Sequence, residues 1–148
     1  SLRSSLIAVA AAVCAAGMAA PASAQTEGGL YIAGYGFSFA EVVDRAIAQN
    51  PGGQRFFLLS LPPETQALAT SAAGPLAAAR DRAIAANGVL LVCQRDIDSR
   101  RINAAGLAPR VVAVRGLPPG ERYFQGENPA NLPASNEALR RLRSTCSD

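Results

Sequence analysis

The sequence contains no histidine, no lysine and no tryptophan, and aromatic residues make up only 5% of its 148 residues. Without histidine there is no Ser-His-Asp triad, no Cys-His pair and no imidazole ligand for a metal. Without lysine, a Walker-type phosphate loop, a Schiff base and a Ser-Lys pair are excluded. Chemistry must therefore come from cysteine, carboxylates, tyrosine, arginine, hydroxyl groups or the backbone, and we expect neither a metal nor a cofactor.

The charge balance is only mildly basic. All 14 basic residues are arginines, set against 11 acidic residues, and the net charge is +3. The arginine pairs Arg100-Arg101 and Arg140-Arg141 are more typical of solvated helix faces than of a nucleic-acid footprint. Aromatic residues that would stack on bases are also scarce. We therefore expect no nucleic-acid partner.

Residues 1–24 have the pattern of a secretory signal peptide. Arg3 provides a positive charge, Leu6 to Ala20 is an apolar stretch, and the small residues Ala22 and Ala24 favour a cut after Ala24. The apolar stretch is close to or below the roughly 20 residues that a membrane-spanning helix needs. We therefore expect a periplasmic or secreted protein with no membrane span after cleavage.

The predicted mature segment, residues 25–148, is long enough for one domain with a hydrophobic core. Strand-like and helix-like segments alternate along it, which is typical of a parallel sheet covered by helices. We predict a three-layer α/β/α sandwich with a mostly parallel sheet of about four to five strands. Residues 116–135 are rich in proline, glycine and asparagine, and we predict an irregular arm there, followed by a C-terminal helix.

Periodicity and capping signals place the individual elements. Strands are predicted over residues 30–33, 55–61, 88–93 and 111–114. The first helix is predicted to begin after Ser38, because Glu41 stands three residues later and completes a capping box. Further helices are predicted over residues 75–87, 95–105 and 136–143, and residues 64–73 are compatible with either a short helix or an active-site loop.

Cys93 ends the apolar run that begins at Gly88, and a polar, arginine-rich segment follows it. This pattern predicts a buried strand that ends at the start of a helix, with a thiol at the junction. In open α/β sheets ligands bind at the carboxyl ends of strands, and the amides of a helix N-terminus lower the pKa of a thiol. The alternative is a small buried core residue, since free cysteine is among the most buried residue types.

A second cysteine, Cys146, belongs to the predicted mature segment, whereas Cys14 is expected to leave with the signal peptide. In an oxidising compartment this pair is compatible with a structural disulfide, a reversible redox pair or a free Cys93. A bridge between Cys93 and Cys146 would close a loop of about 50 residues and contribute roughly 3–4 kcal/mol in the chain-entropy description.

The stretch from Gly88 to Val114 contains, in order, Gly88, Cys93, Arg100, Ile102, Leu107, Pro109 and Val112-Ala113-Val114. This spacing resembles that of the DsrE/DsrF-like sulfur-relay family, which has a small three-layer α/β/α fold. The family pattern is a glycine, an apolar strand that ends in cysteine, an arginine, an isoleucine, a leucine, a proline and a Val-x-Val strand at fixed spacing. Arg101 stands where the family usually has a glycine. Over residues 30–87 only the strand–helix order agrees, and the tail beyond Gly116 is not covered.

The resemblance implies that Cys93 accepts sulfane sulfur as a persulfide and passes it on, as a sulfurtransferase-like carrier. Its partner would be a sulfur donor or acceptor protein or a small sulfane-sulfur compound, and the resemblance is compatible with a homo-oligomer. Because a thiolate needs positive charge nearby, Arg95 and Arg100 are candidate substrate-binding residues. Tyr35 is a further candidate at the rim of the same strand-end crevice.

Two other functions are compatible with the same residues. In the first, the protein is a non-catalytic oligomeric interaction module in which Cys93 is buried or bonded to Cys146. In the second it is a thiol-redox protein, which the sequence favours least because it contains no Cys-x-x-Cys motif.

Overall fold

The computed structural model describes residues 27–116 and 127–148. The predicted signal peptide, its cut after Ala24 and much of the predicted arm 116–135 lie outside these described residues. Within the two described ranges, no helix combines the length and the apolar character needed to cross a membrane.

The described fold alternates strands and helices. The strands β1 to β4 are Leu30–Ala33, Phe56–Ser60, Gly88–Cys93 and Val112–Val114. The α-helices α1 to α4 are Phe39–Gln49, Gly74–Ala85, Gln94–Asp98 and Asn136–Thr145. Short 3₁₀ helices are found at Glu64–Leu68, Ala104–Gly106 and Pro129–Asn131.

The four strands form one parallel sheet in the order β1-β2-β3-β4. The central strand β2 is buried along its whole length, as expected for a parallel strand covered on both faces. Its last residue, Ser60, is aligned with Ala33 of β1 and Val92 of β3. The prediction of an α/β sandwich with a parallel sheet is therefore confirmed, with four strands in the described residues.

Side chains alternate along each strand between two hydrophobic clusters, one on each face of the sheet. Leu58 and Leu90 pack on the face covered by α1 and α2, which we call the α1/α2 face. Leu59 and Leu91 pack on the opposite face together with Leu142 of α4, and we call this the α4 face. Helices therefore lie on both sides of the sheet, which gives the three layers.

Helix α1 begins as the sequence predicts. The Glu41 N–H donates to Ser38 Oγ (3.2 Å), and the Ser38 N–H donates to Glu41 Oε2 (2.9 Å), which completes the capping box. The hydrogen bond from the Ser38 backbone, followed by that from its side chain, holds the pKa of Glu41 below its usual value. The cap thus fixes the residue at which α1 begins.

The prediction of a helix over residues 95–105 is wrong, because α3 ends at Asp98. Arg100 has a left-handed backbone with φ of 64°, and the backbone oxygen of Asp96 accepts the N–H of Ile102 (3.0 Å). The Asn103 side chain then caps the second 3₁₀ helix, which offers the backbone an alternative to α-helical hydrogen bonds. The early turn lets Ile102 return to the α1/α2 face.

Candidate functional site

Cys93 lies at the carboxyl end of β3, as the sequence predicts, and it is also the N-cap residue of α3. Its side chain is 0% exposed. The Cys93 sulfur is bonded to that of Cys146, and the two Cα atoms are 5.1 Å apart. Of the states that the sequence leaves open for this pair, the structure contains the disulfide.

Helix α4 brings Cys146 to the sheet. Ser135 caps the helix by accepting the Ala138 N–H (3.3 Å), and Leu142 is fully buried on the α4 face. Cys146 follows Leu142 by four residues and therefore lies on the same side of the helix. As the C-cap residue it donates its N–H to Leu142 O (3.1 Å), and its own side chain is 1% exposed. The burial of Leu142 thus positions the second sulfur.

The residues around Cys146 close over the ends of β3 and β4. The guanidinium of Arg95 in α3 donates to the backbone oxygen of Ser147. A Cβ atom at Gly116, just after β4, would overlap the backbone of Ser147, so the chain can pass there only as glycine. These contacts hold the C-terminal segment against the sheet and exclude solvent from the disulfide.

The guanidinium of Arg95 also lies beside a buried carboxylate. Asp96 is 1% exposed, and its Oδ1 atom is 3.7 Å from Arg95 Nε. Its Oδ2 atom has no hydrogen-bond partner among the described residues. Asp96 is not among the residues predicted from the sequence, although an acidic residue in the first turn of a helix that follows a buried strand is a signal that could have pointed to it.

Arg100, the second candidate arginine, is not part of this cluster. It is exposed on the turn that follows α3, and its backbone N–H donates to Ile97 O (3.0 Å). Of the two candidate arginines, the structure therefore brings only Arg95 into contact with the segment that covers the disulfide.

Tyr35 lies elsewhere, on a tight turn after β1. The side chain is 76% exposed and lines a cavity of about 310 Å³ together with Arg45 and Arg141. Cys93 does not line this cavity, because β2 separates β1 from β3 in the sheet. The structure therefore does not bring Tyr35 and Cys93 together in one crevice.

The arrangement around Cys93 has a direct chemical consequence. A disulfide sulfur carries no thiolate, and nucleophilic attack by a cysteine requires one. The Cys93–Cys146 bond must be opened by a reductant before Cys93 can accept sulfur, and the covering segment must move to admit that reductant.

No protein-family model, no curated protein and no solved structure matches this chain.

Proposed function

We propose that this protein, in its oxidised form, is a non-catalytic interaction module whose Cys93 is locked in a buried disulfide with Cys146. The observation that carries the proposal is that both sulfur atoms are bonded to each other and that the two side chains are 0% and 1% exposed. In this state neither cysteine has a thiolate or access to a substrate.

The disulfide has a structural role that suits such a module. It joins the end of β3 to the end of α4 and so fixes the third layer of the sandwich on the sheet. The location that we propose for the protein, a periplasm or extracellular space, favours persistence of this bond. The module would thus present a rigid surface to a partner.

The second candidate is a sulfur carrier, and the position of Cys93 favours it. Cys93 stands at a strand end and caps α3, and the spacing of residues 88–114 resembles the sulfur-relay family. A dithiol reductant would first convert the disulfide into two thiols and itself become a disulfide. The Cys93 thiolate would then attack the outer sulfur of thiosulfate, forming a persulfide, while sulfite leaves with the electron pair of the broken S–S bond.

Intact-mass spectrometry of the natively purified protein discriminates between the two candidates. The protein is incubated with thiosulfate, with and without prior treatment with dithiothreitol, and Cys93→Ser and Cys146→Ser variants serve as matched controls. An interaction module shows a deficit of two hydrogens before treatment with dithiothreitol, and it takes up no sulfur under either condition.

A gain of one sulfur atom after reduction supports the carrier instead, provided that Cys93→Ser abolishes it and Cys146→Ser does not. The same spectrum tests the proposed export, because a cleaved chain would begin at Gln25.

A further inference from the structure

Strand β1 is an edge of the described sheet, and half of its backbone groups face away from β2. The Phe57 N–H donates to Gly29 O (3.0 Å), which sets the ladder so that alternate residues of β1 bond to β2. The backbone groups of Leu30 and Ile32 therefore point to the open side of the strand. The carbonyl of Leu30 accepts a hydrogen bond from Arg141 Nη1 (3.0 Å), whereas Ile32 lines the cavity beside the edge.

This cavity, about 310 Å³ in volume, forms what we call the β1 edge groove. Tyr35 and Phe37 line it, and these are two of the three large hydrophobic side chains that are exposed in the described residues. Arg45 of α1 and Arg141 of α4 line it as well, and none of its lining residues is acidic. Arg45 also lies 4.9 Å from the centre of the Phe37 ring, which holds the guanidinium beside the aromatic side chain.

The backbone of Tyr35 is strained in a way that packing does not offset. Its φ is 53°, in the left-handed region that disfavours residues with a Cβ atom, and it stands between Gly34 and Gly36. Two hydrogen bonds between Gly34 and Phe37 (2.9 and 3.0 Å) fix the turn. Because the tyrosine ring is mostly exposed, glycine would serve the fold better at this position. Tyr35 therefore presents an aromatic ring that the described fold does not cover.

We propose that the β1 edge groove is a docking site for an extended peptide strand of a partner protein, one that carries acidic side chains. The peptide backbone pairs with the outward groups of Ile32, as in other complexes that add a strand to a sheet edge. Apolar side chains of the peptide pack on Tyr35 and Phe37. Its carboxylates bind the guanidinium groups of Arg45 and Arg141.

Charge argues for a different protein rather than a second copy of this chain as the occupant. Two copies paired through their β1 edges would form an isologous interface, to which both copies contribute the same surface patch. Such a pair would gather Arg45 and Arg141 of both copies in one interface, where the groove lining contains no acidic residue to balance their charge. The carboxylates of an acidic strand would instead be attracted to the same arginines.

The docking site extends the proposed interaction module and rests on it in one respect, because the groove is described for the protein with the Cys93–Cys146 disulfide formed. Binding is measured by the fluorescence anisotropy of the fluorescein-labelled heptapeptide TVEVEVT, titrated with the oxidised full chain. A second peptide, TVKVKVT, reverses the charge. We expect saturable binding of the acidic peptide with a Kd below about 1 mM and at least tenfold weaker binding of the basic one.

Two variants locate the binding site. Arg45→Glu is expected to weaken binding of the acidic peptide about tenfold or more. The matched control is Arg140→Glu, which makes the same charge change outside the groove, and it is expected to weaken binding less than about twofold. Tyr35→Gly is expected to weaken binding while leaving the melting temperature unchanged or higher. That second readout separates loss of the ring from loss of the fold.

Three results would overturn the docking site. The first is equal weakening by Arg45→Glu and Arg140→Glu, which would show attraction to net charge alone. The second is a dimer in sedimentation that Tyr35→Gly dissociates, which would assign the groove to a second copy. The third is no peptide binding in a sample whose mass shows the disulfide, and this result leaves the proposed state of Cys93 intact. Sulfur uptake on Cys93 would instead overturn the proposed interaction module, and the result of the peptide-binding experiment would still stand.

Discussion

Replacing both cysteines, Cys93→Ala with Cys146→Ala, is expected to lower the free energy of unfolding by about 4 kcal/mol. The disulfide joins residues separated by 53 positions in the sequence. Without the bond, the unfolded chain regains the entropy of a loop of that length, worth about 4 kcal/mol at 25 °C. Alanine is the appropriate replacement because both sites are buried and a serine hydroxyl would add a desolvation cost. The loss is a large share of the roughly 5–15 kcal/mol that stabilises an ordinary domain.

Urea denaturation followed by circular dichroism measures this loss. With an m-value of about 2 kcal/mol per molar urea, the midpoint is expected to fall by about 2 M. Each single variant is expected to lose about as much as the double variant, because either substitution removes the same bond. Single-variant losses that add up in the double variant would refute the disulfide as their source. Equal midpoints would refute it as well: the wild type, with or without dithiothreitol, would then unfold at the same urea concentration as the double variant.

Three further predictions concern the sheet and the first helix. Gly88→Ala is expected to lower the free energy of unfolding in urea by about 1–3 kcal/mol, since its Cβ would come within 2.6 Å of the Phe56 ring at the start of β2. Gly106→Ala is the near-neutral control, because its Cβ would lie 3.8 Å from the nearest atom. Ser60→Ala is expected to leave stability unchanged or raise it by about 1 kcal/mol, because its buried hydroxyl has no hydrogen-bond partner among the described residues, and a clear loss would contradict this. The depressed pKa of Glu41 means that its contribution is present above its unfolded pKa and is lost as the pH falls through the folded pKa. Glu41→Gln is therefore expected to flatten the acid side of a plot of stability against pH, and an unaltered slope there would argue against it.

The local elements were predictable because their signals lie within a few residues of each other. The capping box needs only Ser38 and Glu41, and the apolar run that ends at Cys93 is sufficient to place β3. The alternation of strands and helices is also sufficient to predict the fold class. A helix that connects two parallel strands packs on a face of their sheet, which leaves few other architectures. The early end of α3 was not predictable in this way, because it depends on the packing of Ile102 in the hydrophobic cluster of the α1/α2 face.

The candidate site was less predictable because it depends on which strands are neighbours. Tyr35 follows β1 and Cys93 ends β3, but β2 lies between those strands, so the two residues lie at different parts of the carboxyl end of the sheet. Asp96 was overlooked because only the docking of its helix buries the carboxylate. The distance between Cys93 and Cys146 likewise follows from the packing of Leu142, which no local pattern encodes.

The bond between β3 and α4 also governs how the last helix opens. A helix of 10 residues is too short to persist in water by itself, so α4 is stable only while it is docked. With the bond intact its C-terminal end stays on the sheet, and its amide hydrogens exchange with deuterium only when the sheet itself opens. With the bond reduced, α4 can detach as a separate unit, and the same amides exchange faster. Amide exchange at Cys146, whose N–H is bonded to Leu142 O, therefore reports the oxidation state of two sulfur atoms that solvent does not reach.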